Sequence, residues 1–194
     1  MTTAATPSTA VPRSRLRARI ALAALATCGL AALAWAAFVQ PSARIVYNPS
    51  DSVPVGWYRI DPADSLPRPL SVGSIVLTTL PADAAALAAQ RGYLPSHVPL
   101  LKRVGAVASQ HVCIVNGSVR IDGVPVAAVL RADRWGRPLP SWPQCRSLAQ
   151  GELFLLSVTN PASFDSRYFG PVSAAVVLGV AQPLRLAQRR RGIA

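Results

Sequence analysis

Asn48 to Ile60 reads NPSDSVPVGWYRI, a polar turn of Ser and Pro that runs into the strand-forming residues Gly56-Trp57-Tyr58-Arg59-Ile60. Ser50 and Ser52 stand in the turn and are candidates for a nucleophile loop. Their meaning depends on a distant residue. Lys102 is the only lysine among 20 basic side chains; the rest are arginine. Arginine keeps its charge under all ordinary conditions, whereas a buried lysine can lose its proton and act as a base. Leu100, Leu101 and Val104 give Lys102 apolar neighbours in LLKRVG. Together the two segments suggest a Ser/Lys dyad, a hydroxyl deprotonated by an amine that is held neutral. Taken singly, a serine in a Pro-rich turn is an ordinary turn residue, and a strand lysine ordinarily snorkels outward.

Outward from that stretch the pattern is one of short β runs and turns, as 18 prolines and 12 glycines in 194 residues require. Strands are expected at Ser74–Thr78, Pro99–Val107, Leu153–Val158 and Ala174–Ala181. Asn116-Gly117 between His111–Val115 and Ser118–Ile121 signals a two-residue hairpin. Pro62–Pro69 is a proline-rich link. Pro81 to Arg91 is Ala-rich and reads as one short helix, with Pro at its start and Gly92 at its end. The domain after residue 40 is therefore expected to be mainly β.

Before it, Ile20 to Val39 carries no charge over a length that suffices to cross the hydrocarbon core as a helix. Arg13, Arg15, Arg17 and Arg19 precede the span and only Arg44 closely follows it, which orients the N-terminus to the cytoplasm. The expected organisation is a basic stub (1–19), a transmembrane anchor (20–39), an exported domain (40–185) and a basic tail (186–194). A cleaved signal peptide competes, since Ala34-Trp35-Ala36 resembles a small-x-small cleavage site, as does a core helix. The apolar run exceeds the roughly 7–15 residues usual in signal peptides and favours a retained anchor.

A net charge of +12 invites a nucleic-acid reading. The arginines crowd the two tails, however, with Arg185, Arg189, Arg190 and Arg191 at the C-terminus, and no aromatic residues are interleaved for base stacking. No nucleic-acid partner is expected. Cys113 and Cys145 fall in the exported domain, where disulfides persist, and a bridge between them is the simplest pairing; two buried thiols are the alternative. Cys28 lies in the span. His97 and His111, the only histidines, sit in no ligand-spaced motif. No metal or cofactor is expected, and neither histidine has the local signature of a Ser-His-Asp triad.

Three segments now in view carry a resemblance. LLKRVG (100–105) resembles the lysine box of type I signal peptidases, and SFDSRYFG (163–170) resembles their C-terminal Ser-x-Asp-Ser-Arg-Tyr box. NPSDSVPVGWYR, together with DRWGRPLPSWPQC (133–145), is similar to one branch, the TraF-type peptidases of conjugative transfer systems. The boxes stand in the family's order behind the family's anchor. The resemblance implies a signal-peptidase-like β fold behind a single N-terminal transmembrane helix. It implies Ser52 as nucleophile and Lys102 as general base. The Ser50 hydroxyl and the Ser52 N–H would form the oxyanion hole, Ser163 would aim the Lys102 amine, and Asp165 and Arg167 would brace the site.

Departures from the common signal peptidases favour the specialised branch. Val53 follows the serine where they place Met, and Ser109-Gln110 and Ser157-Val158-Thr159 stand where they have Gly-Asp and Gly-Asp-Asn. The expectation is an inner-membrane serine endopeptidase with a periplasmic catalytic domain. It would process, and in some members cyclise, a pilin precursor for the conjugation machinery. A general signal peptidase acting on other exported proteins is the nearest alternative, and a catalytically silent pilus-assembly protein of the same fold is another. A self-cleaving repressor would use a similar dyad but needs a DNA-binding region.

Overall fold

A computed structural model describes residues 13–38, 44–65 and 70–184. The chain divides into two units, Met1–Pro41 and Ser42–Ala194. The first contains α1, Arg13–Phe38, whose apolar residues face every side. Its stretch Arg15–Trp35 is long and apolar enough to cross a membrane, with a mean hydropathy of 1.7 and none of it buried. The helix takes in the arginines expected in the basic stub. Residues 1–12, Val39 at the end of the expected anchor, the start of the exported domain at 40–43, the second half of the Pro62–Pro69 link and the C-terminal arginines lie outside the described residues.

The second unit is mainly β, as its alternating runs require. In chain order it contains β1 (Arg44–Asn48), β2 (Gly56–Pro62), β3 (Ile75–Thr78), α2 (Ala82–Gln90), β4 (Leu100–Ala106), β5 (His111–Val115) and β6 (Ser118–Ile121). There follow β7 (Val124–Ala128), β8 (Cys145–Ser147), β9 (Glu152–Leu155), α3 (Ser166–Phe169), β10 (Val172–Ser173) and β11 (Val177–Pro183). Among the described residues every pairing between these strands is antiparallel. One sheet runs β1-β2-β11-β3-β4-β9-β10 and the other β7-β6-β5-β8.

β4 is the strand that organises the site. Its side chains alternate between faces, as period-two geometry dictates, so Lys102 is turned inward with the fully buried Val104 and Ala106. Val76 on β3 lies opposite Lys102, and Leu155 on β9 lies opposite Val104. Val76, Val104, Leu155 and Val180 belong to one buried cluster. A second cluster, with Val112, Val119, Trp142 and Phe154, fills the space beside the smaller sheet. Gly105 sits where β4 crosses close to β9. A Cβ there would lie 2.9 Å from that of Leu156, so a side chain would force the two segments apart.

The hairpin at Asn116-Gly117 forms as expected, with φ of 51° and 72°, the left-handed pair that suits Asn-Gly. The α2 helix ends at Gly92, φ 69°, where glycine is the usual left-handed terminator. Three expectations shift. Ala174–Val176 is a 3-10 turn, not strand, because Ser173 caps it through the Ala175 N–H. The run expected to reach Val158 stops at Leu155. There the Asp165 carboxylate takes the Ser157 N–H and the Ser166 hydroxyl takes that of Leu155, so side chains replace a strand ladder. β7 was not expected, the sequence reading having assigned nothing to its residues; it contains Pro125 and lies at a sheet edge, where a missing N–H is tolerated.

Cys113 and Cys145 face each other across β5 and β8 and are joined as a disulfide. Closing the intervening loop stabilises the fold by about 3–4 kcal/mol in the chain-entropy account.

Candidate active site

The loop that links β1 to β2 carries Ser50 and Ser52, and its shape is set by a residue to which the sequence reading gave no role. Asn48 is buried at the end of β1. Its amide donates to three carbonyls, those of Ser50 (2.7 Å), Val53 (3.0 Å) and Pro54 (3.1 Å). Its side-chain oxygen accepts from the Ser50 N–H (3.2 Å) and the Ser50 hydroxyl (2.9 Å). Tyr58 on β2 closes the turn by donating to the Pro54 carbonyl at 2.6 Å. The Ser50 and Ser52 hydroxyls are 3.1 Å apart. Because the Ser50 proton is directed at Asn48, the resting Ser52 hydroxyl donates to Ser50.

Asn48→Ala is expected to leave several turn carbonyls without donors. It should lower the unfolding free energy by about 2–3 kcal/mol in a urea titration. A loss below about 0.5 kcal/mol, the scale of an inert surface change, would show that the turn holds without it.

Lys102 reaches the same region from β4. It is 3% exposed, and its ammonium donates to the Ser163 hydroxyl. Burial disfavours the charged form and lowers its pKa to about 8. Asp165 pulls it back upward, Arg167 lowers it further and Asp51 raises it. Ser163 lies in the segment that leaves β9. That segment is tied to the serine turn where Asn160 donates to the Asp51 carboxylate and Thr159 to the Asp51 carbonyl.

Behind Ser163 stands a fully buried ion pair. The Arg167 guanidinium meets Asp165 through two bonds of 2.8 Å. Its remaining N–H groups go to the carbonyls of Ala128 (2.8 Å), Ser163 (3.0 Å) and Asn160 (3.2 Å). Asp165 in turn accepts the N–H groups of Ser157 and Arg167. Every polar group of the pair is satisfied, which is the condition for a charge pair to be tolerated in an apolar interior. Arg167 therefore anchors the Ser163 backbone while Asp165 holds Ser157.

Ser50, Ser52, Lys102 and Ser163 all line one cleft of about 570 Å³, whose walls are mostly apolar and include Leu77, Leu101, Leu130 and Phe164. The sequence reading named these four polar residues from segments far apart in the chain, and the fold brings them to one place. The cysteines are not part of it. The His111 imidazole lies 3.3 Å and 3.4 Å from their sulfurs. With the sulfurs bonded to each other, that cluster offers one imidazole and no set of metal ligands. His97 is exposed in a turn.

The family model for signal peptidase, peptidase S26, matches residues 17–184. The chain belongs to that family. Plasmid transfer protein TraF of Escherichia coli is 33% identical over 181 residues, spanning 88% of this chain and 98% of that protein. Conjugal transfer protein TraF of Agrobacterium tumefaciens (strain 15955) is 34% identical over 158 residues, 77% of this chain and 85% of that one. The crystal structure of a signal peptidase I from Enterococcus faecalis V583 aligns at 20% identity with a TM-score of 0.37, over 58% of this chain and 97% of that chain. This S26 chain is thus a TraF-type member with a mainly β fold behind one apolar N-terminal helix.

Proposed function

We propose that this protein is a membrane-anchored serine endopeptidase that processes the pilin precursor of a conjugative transfer system. The observation that carries the reading is the state of Lys102. Its amine is buried, lowered to about 8 and aimed by Ser163, in the cleft that holds Ser52. An assembly protein of the same fold would have no use for a lysine kept at such a cost.

In this reading a neutral Lys102 takes the proton from the Ser52 hydroxyl, and the serine oxygen attacks the scissile carbonyl carbon. The Ser52 N–H and the Ser50 hydroxyl receive the developing oxyanion, the point at which such donors contribute most. For this the Ser50 hydroxyl must turn from Asn48 to the substrate, which releases Ser52 from its resting partner. Collapse of the intermediate expels the amine of the cut bond, which takes its proton from the Lys102 ammonium. Water resolves the acyl-enzyme into a shortened chain, whereas the pilin's own N-terminus would resolve it into a circle. The apolar helix, with arginines on its N-terminal side, would hold the protein in the inner membrane with the β domain in the periplasm.

Mass spectrometry of the pilin from cells with and without this protein tests the assignment. Loss of a discrete mature species in the deleted strain is expected, with other exported proteins processed normally. An unchanged pilin would reject the substrate, and a general accumulation of uncleaved exported precursors would favour a general signal peptidase.

A further inference from the structure

Among the described residues, three charged ones line the cleft: Lys102, Asp133 and Arg134. The first two are engaged within the protein. Lys102 is bound to Ser163. Asp133 accepts from the Tyr93 hydroxyl, from Arg137 Nε at 2.6 Å and from the N–H groups of Trp135 and Arg137 at 2.9 Å. Partial desolvation raises its pKa, but these bonds outweigh that and hold it below the usual carboxylate range. Arg134 is different. Among the described residues it has no hydrogen bond and no ion pair, and its guanidinium carbon lies over the Trp135 ring, 3.9 Å from the centroid.

The platform beneath Arg134 is built, not incidental. Arg137 lies 4.5 Å from the same indole and Tyr93 stacks on it with a 6.3 Å centroid separation and a 10° interplanar angle. Arg137 also donates to the Arg91 carbonyl, and Arg91 donates to the Pro138 carbonyl at 2.8 Å. The loop after β7 is thus fastened to the turn after α2 by reciprocal bonds. It presents a guanidinium seated over the indole, whose N–H groups meet no acceptor among the described residues. Stacking limits the rotamers of a long side chain, so less freedom is lost when a ligand binds. The planar fork suits the two oxygens of a carboxylate.

We infer that Arg134 is a specificity-determining residue of the substrate cleft, which binds a carboxylate of the peptide substrate. The inference rests on the peptidase reading for the identity of the occupant as a peptide. A cleft walled by apolar side chains, with one unpaired cation and no free anion among its lining residues, selects a small apolar peptide that carries one negative group. That group has two possible sources, an Asp or Glu side chain or the free C-terminus of the chain. Arg134 is exposed, so water screens the pair and its effect is moderate.

The test uses the full-length Ser52→Ala protein in detergent micelles, so that binding is measured whether or not the chain cleaves anything. The probes are octapeptides of Ala and Val with one Glu placed at each position in turn, their Gln counterparts, and each of these with a free or amidated C-terminus. By calorimetry, either one Glu position or the free terminus should strengthen binding about two- to fivefold over its neutral counterpart. The two arms tell the sources apart. Arg134→Gln should remove the gain, Arg134→Glu should invert it, Arg134→Lys should restore part of it, and added salt should weaken it. Equal binding of charged and neutral peptides, or a gain that survives in Arg134→Gln, would overturn the inference. Cleavage by Ser52→Ala would instead reject Ser52 as the nucleophile, and failure of the wild-type protein to cut the pilin precursor would reject the peptidase reading; both are separate outcomes.

Discussion

Ser52→Ala and Lys102→Arg are each expected to be folded, membrane-bound and inactive, with turnover reduced by about 10⁴-fold or more, the scale seen when a nucleophile or its base is removed. The two variants fail for different reasons. Ser52→Ala deletes the attacking oxygen, while its neighbours Ser50 and Asn48 keep the turn in shape. Lys102→Arg keeps a positive charge on β4 but removes the ability to give up a proton, because a guanidinium does not deprotonate in this range. It also puts a larger head group where the amine meets Ser163. Lys102→Arg is the sharper of the two, since a lysine that served only as a cation would tolerate the change. Cleavage of the purified pilin precursor, followed by mass spectrometry, reads both. Wild-type turnover in Lys102→Arg would exclude a lysine base.

Arg167→Met is expected to cost about 3–5 kcal/mol, the range for breaking a buried charge pair from one side. The loss has two parts: Asp165 is left as an uncompensated buried charge, and the carbonyls of Ala128, Ser163 and Asn160 lose their donor. Arg167→Lys should recover little, because one ammonium cannot span a carboxylate and three carbonyls that a fork reaches together. Asp165→Asn combined with Arg167→Met should cost less than the sum of the single changes, as neighbours in one network do. Denaturant titration of the wild type and the four variants gives the comparison, and a loss under about 1 kcal/mol for Arg167→Met would mean that the pair contributes nothing net. Arg167 also lowers the Lys102 pKa. If the variant folds, its Lys102 should therefore titrate higher than in the wild type, and activity should require a more alkaline pH.

The parts of this molecule that were legible in its sequence are those whose meaning is local. Asn116-Gly117 and Gly92 announce their turns through backbone conformations that few residues adopt, and a charge-free run such as Ile20–Val39 announces a helix of membrane length. Lys102 stood out because the chain writes its other cations as arginine. The supporting layer was not legible, since it consists of bonds between segments that meet only in the fold. Nothing near Asn48 marks it as the hub of the serine turn. Its polar atoms could serve any loop until Val53 and Pro54 are folded back over it. Leu153–Val158 looked like one strand because its apolar run is broken only by Ser157; the carboxylate that ends it, taking the Ser157 N–H, comes from Asp165. β7 contains Pro125, which fits a strand only once that strand is known to lie at an edge. Arg134 belonged to a tract noted for its resemblance to the TraF-type branch, yet its freedom appears only once Asp133, Tyr93 and Arg137 are seen to satisfy one another.

Because Lys102 is the only lysine, protein grown with [ε-¹³C]lysine contains one labelled side chain, and its NMR resonance reports that amine alone. Its titration tests the central claim most directly. The account predicts a midpoint near 8, where burial places it, and an acidic limb of the pH–rate profile with the same midpoint, since only the neutral amine can accept the Ser52 proton. A midpoint near the ordinary lysine value of 10.5, with a pH–rate profile indifferent to it, would contradict the dyad.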